Sequence, residues 1–386
     1  MNVLLFIVGL TIVLLTSASV LFTIVLPREP RGSQRLSVWV IRAVRLAFVG
    51  VSRLGRTYET KDRLLAPTAP VALVAQLLFW AGLFILGYAL LLTATAHDFG
   101  ASLVQSTESV FTVGTIDTAG DRSPAIDIAA GATWVVIVAL QIAYLPTLYA
   151  SYNRRESLVA MLESRAGLPA WGPELLARQQ LVGIIDTLPE FYASWEKWSA
   201  DLAESHTTYP VLRLFRSPEP WYSWLVGLLA VLDGAAMHLA LSPTTASSEA
   251  RLCLRMGFTA LNRIARTSGY EVDPDPNPEG PITLTFEEFD HAVSTLRDIG
   301  FPLERNAEEA WPQFRGWRVN YEPAAYFLAD RFTAPPAPWS GPRRHLRAGV
   351  VEPRRPPQRT PSTLEDRRPQ VVITPTGRRS SGAAPN

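Results

Sequence analysis

A chain with one cysteine cannot staple itself. Cys253 stands alone, which excludes an internal disulfide, a cysteine metal cluster and a redox pair. Lysine is nearly absent: Lys61 and Lys197 are the two, and arginine supplies the remaining positive charge. Phosphate-loop, dinucleotide and nucleophile motifs are missing, so the chain is not expected to be an enzyme. With 386 residues and a formal net charge of +1, it is long enough for more than one unit. No nucleic-acid partner is expected.

Charge is wholly missing from residues 3–26, 70–95 and 128–152. About 20 apolar residues suffice for a helix to cross the hydrocarbon core, so each run qualifies as a transmembrane helix. The first run contains Thr16-Ser17-Ala18-Ser19, a weak small-residue cleavage site. It lacks a basic leader and is longer than a signal-peptide core, so an uncleaved anchor is expected.

The arginines set the orientation. Residues 27–68 hold nine basic side chains against Glu29, Glu59 and Asp62, while residues 96–127 hold a single arginine, Arg122. Asn153-Arg154-Arg155 follows the third run. Basic loops stay cytoplasmic. The expected protein is therefore multi-pass in the plasma (cell inner) membrane, with its N-terminus outside and everything after residue 153 inside.

Within 34–56, Trp39, Val40, Val44, Ala47, Phe48 and Val51 alternate at helical period with Arg35, Arg42, Arg45 and Arg53. That pattern fits a helix lying on the inner membrane surface against anionic lipids. A solvent-facing helix packed on the cytosolic domain is the plainer alternative. Residues 154–334 read as a helical cytosolic domain. Within it, 222–241 is nearly long enough to span, but Asp233 and His238 would cost a few kcal/mol each at mid-bilayer depth. A buried core helix is expected there. Residues 335–386 are rich in Pro and Arg, with ten arginines and three acids from 343 onward. They read as a disordered basic tail that could also meet anionic lipid.

Between the second and third runs lies "DFGASLVQSTESVFTVGTID". Residues 98–111 predict a short helix with Asp98 as its N-cap. It is too short to span, and a re-entrant half-helix is allowed where protein or water covers its backbone. Its C-terminal end would turn partial negative charge toward a cation. Carbonyls of the following Thr112-Val113-Gly114 turn could replace an ion's hydration shell.

Span, half-helix, turn and span together resemble the potassium-channel pore module. The family's filter reads Thr-Val-Gly-Tyr-Gly-Asp. Thr112, Val113, Gly114 and Asp117 match it, whereas Thr115 and Ile116 stand where the family has Tyr and the second Gly. Some members carry a glutamate four residues before the filter's threonine, paired with the closing aspartate. Glu108 and Asp117 fall on those positions. The resemblance implies a homotetramer in which one loop per chain builds the filter, a permeating monovalent cation such as K+, and no other cofactor. It also implies a pore-lining third helix in which Pro146 makes a kink and a gate. A β-branched Ile116 is poorly suited to the left-handed backbone Gly adopts. A relaxed cation pore or a non-conducting pore-like fold therefore stands beside a potassium-selective one. "YLPTLYASYNRRE", "ESHTTYPVLRLFRS" and "SWLVGLLAVLD" are similar to bacterial potassium-channel-like membrane proteins of the two-pore-domain ion-channel family.

The expected fold is thus an all-α membrane protein in five parts. Residues 1–26 form an N-terminal transmembrane helix and 27–68 a basic cytoplasmic linker with the interfacial helix. The pore module covers 69–153: a transmembrane helix, the re-entrant pore helix, the filter-like loop and a third transmembrane helix. The helical domain at 154–334 and the tail at 335–386 follow. Conduction is the leading function, and a non-conducting membrane-anchored interaction or sensor protein the alternative. "DPDPNPEG" at 273–280 resembles the start of a calcium loop, but Pro278 and Leu284 occupy the required Gly and Glu places. His206 and His238 have no metal-ligand partners at useful spacing, and no metal site is expected.

Overall fold

The computed structural model describes residues 2–25, 35–95, 98–112 and 123–341. Every regular element in them is helical. In chain order they are α1 (Val3–Ile24), α2 (Arg35–Ser52), α3 (Tyr58–Leu65), α4 (Thr68–Ala94), α5 (Phe99–Phe111) and α6 (Pro124–Ala166). Next come α7 (Gly172–Val182), α8 (Leu188–Thr208), α9 (Trp224–Leu241) and α10 (Ser248–Thr267). Last are α11 (Phe286–Asp298), α12 (Ala307–Arg318) and α13 (Glu322–Arg331). Two short 3-10 turns, Ile185–Thr187 and Pro210–Leu214, complete the set.

The chain divides into two compact units. One comprises Met1–Leu54, Leu64–Tyr152 and Thr208–Phe215; the other comprises Gly55–Arg63, Asn153–Thr207 and the chain from Arg216 on. Helix α6 contributes its first part to one unit and its remainder to the other. Among the described residues, four helical segments are long and apolar enough to cross a membrane: Val3–Ile24, Tyr58–Ala94, Pro124–Ala166 and Trp224–Leu241. Pro146 lies inside α6.

In the first unit, α1 and α4 are antiparallel neighbours, since the Asn2 amide donates to the Ala94 carbonyl at 3.0 Å. Glycine makes their approach possible. A Cβ on Gly9 would lie 2.7 Å from the Gly87 carbonyl oxygen, and one on Gly87 would lie 2.8 Å from Val13. Small residues at a crossing let two apolar helices gain close backbone contact where the hydrophobic effect offers them nothing. Farther along, hydroxyls and an amide join three helices. The Trp80 indole donates to Ser19 Oγ at 3.3 Å, the Gln76 amide donates to Ser37 Oγ at 3.1 Å, and Thr23 and Ser37 share a 2.8 Å hydrogen bond. Ser19, read from sequence as part of a small-residue stretch, is buried in this cluster.

Helix α5 starts where the sequence places it. Asp98 is its N-cap and accepts from the amides of Gly100 and Ala101 at 2.9 and 3.3 Å. The helix runs back alongside α4, and the Ser106 hydroxyl donates to the Ile85 carbonyl at 2.8 Å. At 1.5 Å rise per residue, Ile85 lies about 14 Å before the C-terminal end of α4.

The second unit is wrapped around α9. Ser223 caps this helix, and all its residues but Leu239 are buried. The sequence reading of a core helix is met, and the reason it tolerates Asp233 is now visible. The Arg318 guanidinium is fully buried and pairs with Asp233 and, at 2.6 Å, with Glu322. It also donates to the Trp339 carbonyl at 2.7 Å and to the Tyr326 hydroxyl at 2.9 Å. Tyr321 adds a hydroxyl to Asp233 at 2.8 Å, and Glu322 accepts from the Thr283 amide. One cation thus ties α9, α12, α13 and the segment that carries Trp339. Burying charge on this scale is tolerated because nearly every donor and acceptor finds a partner.

Candidate functional site

The candidate site is the C-terminal end of α5. Its sequence makes an amphipathic helix of 13 residues that buries Ser102, Gln105, Ser106 and Val110. Buried hydroxyls and an amide face its neighbours beside Val110, which joins the apolar cluster of its unit. Ser106 reaches α4, as described above. On the other side the Gln105 amide donates to both Asp127 carboxylate oxygens, at 3.1 and 2.9 Å, and the Ser109 hydroxyl donates to Asp127 at 2.9 Å. Asp127 lies in the first turn of α6, so one carboxylate locks α5 to the start of the third apolar segment.

Glycine again permits the close approach. A Cβ on Gly131 of α6 would lie 3.2 Å from the Ser109 carbonyl oxygen. Phe111 packs edge-on against Trp134 with ring centroids 5.6 Å apart. Tyr88 of α4 hydrogen-bonds Thr133 of α6 at 2.8 Å. The end of α5 therefore rests on both flanking helices.

Thr112 closes the helix in the left-handed region, with φ 53° and ψ 31°, and its amide returns to the carbonyls of Glu108 and Ser109. This conformation costs a β-branched residue energy. Glu108 Oε1 is buried and has no hydrogen-bond partner among the described residues. A carboxylate oxygen desolvated without a donor is costly. Of the residues singled out from sequence, Thr112, Glu108 and Pro146 are described. Val113, Gly114, Thr115, Ile116 and Asp117 lie outside the described residues, and so does the expected tail beyond residue 341; its first residues, 335–341, are described and packed rather than disordered, with Ala337, Trp339 and Ser340 buried.

Sequence reasoning missed Asp127, which it left at the end of a polar loop. The available signal was Ser123-Pro124, a helix-start pair, with an acid three residues on. Helix α6 begins there: the Ile126 and Asp127 amides return to the Ser123 carbonyl at 2.9 and 3.2 Å.

The remaining polar candidates sit in structural surroundings, although the buried His238 Nδ1 has no hydrogen-bond partner among the described residues. Arg155 carries only donors, so His206 Nε2, 3.1 Å from its guanidinium, accepts; His206 Nδ1 then donates to Ser205 at 3.1 Å. His238 is enclosed by Tyr192 and Phe301, and burial pulls its pKa down to about 4. Burial pushes the Cys253 thiol up, which keeps it protonated and unreactive. At 273–280, Asp273 and Asn277 accept from the amides of Asp275 and Glu279, both at 3.0 Å, folding their own loop. Among the described residues no group of three His, Cys, Asp or Glu side chains could hold a metal ion.

Neither family models, nor curated proteins, nor solved structures give a match to this chain.

Proposed function

We propose that the chain contributes one pore loop to a homotetrameric cation channel of potassium-channel type in the plasma membrane. In this reading α1, α4 and the first part of α6 span the bilayer. Helix α5 is the re-entrant pore helix, and Thr112, Val113 and Gly114 line the ion path through their carbonyls. The N-terminus faces outward and the second unit faces the cytoplasm, where the arginines before α4 and after the α6 span belong.

The observation that carries the reading is the seating of α5. A 13-residue helix, too short to cross a bilayer, is held on one side by Ser106 and Ile85 and on the other by Gln105, Ser109 and Asp127. Its C-terminal end opens directly into the Thr-Val-Gly turn. A rigid seat ending at Thr112, between two apolar helices, is what backbone-lined ion coordination would ask of the element before it. Glu108, whose Oε1 is buried without a hydrogen-bond partner among the described residues, is the filter-supporting acid of this reading.

Thr115 and Ile116 favour a second reading, in which the membrane part is a non-conducting anchor and the helical second unit acts as an interaction or sensor module. Native mass in detergent separates the two, because a four-loop filter needs four chains. Cation flux into proteoliposomes is the direct test.

A further inference from the structure

The outward face of α2 binds an anionic membrane lipid, we infer from the way the two faces of this helix are divided. One face is committed to protein: Ser37 is buried and hydrogen-bonded to Thr23 of α1 and Gln76 of α4. The other face carries Trp39, Arg42, Ala43, Leu46, Ala47 and Gly50, all exposed. These positions recur at three, four, seven, eight and eleven residues from Trp39, which is a single helical stripe. Trp39 is 64% exposed and Leu46 is 65% exposed, large apolar groups that no described residue of their own unit covers.

Charge identifies the occupant. No acidic residue lies between Glu29 and Glu59, whereas Arg31, Arg35, Arg42, Arg45, Arg53 and Arg56 do. The Arg42 guanidinium lies 6.0 Å from the Trp39 ring centre, so cation and aromatic form one surface. A free phosphate would be served by the arginines alone and would leave Trp39 and Leu46 in water. A glycerophospholipid with an anionic headgroup uses both, with phosphate on the arginines and acyl carbons against the indole and leucine. The position agrees, because α2 is fastened to the C-terminal end of α1 and the N-terminal part of α4, the two apolar helices it connects. Helix ends of that kind lie at headgroup depth. This inference requires that α1 and α4 span the bilayer, but not that the protein conducts ions.

The test compares lipid retained by the full chain after purification through micelles holding equal amounts of phosphatidylglycerol and phosphatidylcholine. Wild type should retain the anionic lipid in clear excess. Arg42→Ala with Arg53→Ala should lower that preference about 30-fold, at about fivefold per cation near the surface. Arg42→Lys with Arg53→Lys should keep most of it. Raising the salt from 0.1 to 1 M should collapse the wild-type preference, a measurement that stands even if the alanine variant fails to fold. Equal retention of both lipids by wild type, or a preference indifferent to salt, overturns the proposal. A Trp39→Ala variant that loses assembly mass while keeping full lipid preference overturns it too, by making this face a contact between copies of the chain.

Discussion

Asp127 and Gln105 are joined by hydrogen bonds of 2.9 and 3.1 Å, and through them the start of α6 holds the middle of α5. Ser109 shares the same carboxylate at 2.9 Å. Asp127→Ala strands the Gln105 amide in a partly buried place, while the Ser109 hydroxyl can turn to the Gln105 carbonyl 2.9 Å away, and the cost should be about 1–3 kcal/mol. Asp127→Asn retains one acceptor oxygen and should lose less. Thermal unfolding in detergent checks the order: wild type highest, Asn between, Ala lowest. Amide exchange should rise in α5 of the alanine variant. Wild-type behaviour from Asp127→Ala would show that α5 is seated by something else.

In the second unit, Asp233 and Glu322 share the Arg318 cation. Arg318→Ala should destabilise the protein by about 3–5 kcal/mol, because two carboxylates remain buried without their counter-ion. Replacing the ionic groups together, as Arg318→Met, Asp233→Leu and Glu322→Gln, should lose less than Arg318→Ala alone. Unfolding of the purified variants decides it. A triple variant weaker than Arg318→Ala would mean that the ion pairs contribute more than their desolvation costs.

His238 gives the fold a pH dependence. Burial lowers its pKa from the ordinary 6.5 to about 4, with the Glu304 charge opposing weakly. Between those values the unfolded chain takes up a proton that the folded one refuses, so stability falls as the pH drops from 6.5 to 4. The full effect is up to about 3 kcal/mol. Burial acts on the Asp233 carboxyl in the opposite direction, pushing it up to about 6, so a plain pH profile mixes the two. His238→Phe separates them. The stability of wild type relative to this variant should decline steadily from pH 7 to pH 4, and a constant difference would count against a buried neutral imidazole.

The crossing of α1 and α4 depends on two glycines. Gly87→Leu forces a side chain into Val13 and Ile12, where even a Cβ would lie 2.8 and 3.2 Å away. Overpacking of this kind costs about 1–3 kcal/mol. Gly82 of the same helix meets nothing within 4 Å, so Gly82→Leu is the matched control and should leave unfolding unchanged.

The sequence made the helices legible because their signals are local. Uncharged runs marked α1, α4 and the first part of α6, Asp98 marked the start of α5, and the apolar run at 222–241 marked the buried helix α9. What pairs with what was not legible. Asp233 meets Arg318 across 85 residues of chain, and Ser37 meets Gln76 across 39. No periodicity encodes such partners, because tertiary packing alone brings them together. The same holds at the candidate site. Glu108 and Thr112 could be picked out by a motif, but the residue that fixes α5, Asp127, belongs to no motif.

Cation flux into liposomes carrying the purified protein tests the central claim most directly. Gly114→Asp is the control, since a charged side chain at the Thr-Val-Gly turn should block a path lined by its carbonyls. The account predicts flux from wild type and none above empty liposomes from Gly114→Asp, both proteins eluting as the same tetramer. Equal flux from the two, or none from wild type reconstituted as a tetramer, would contradict it.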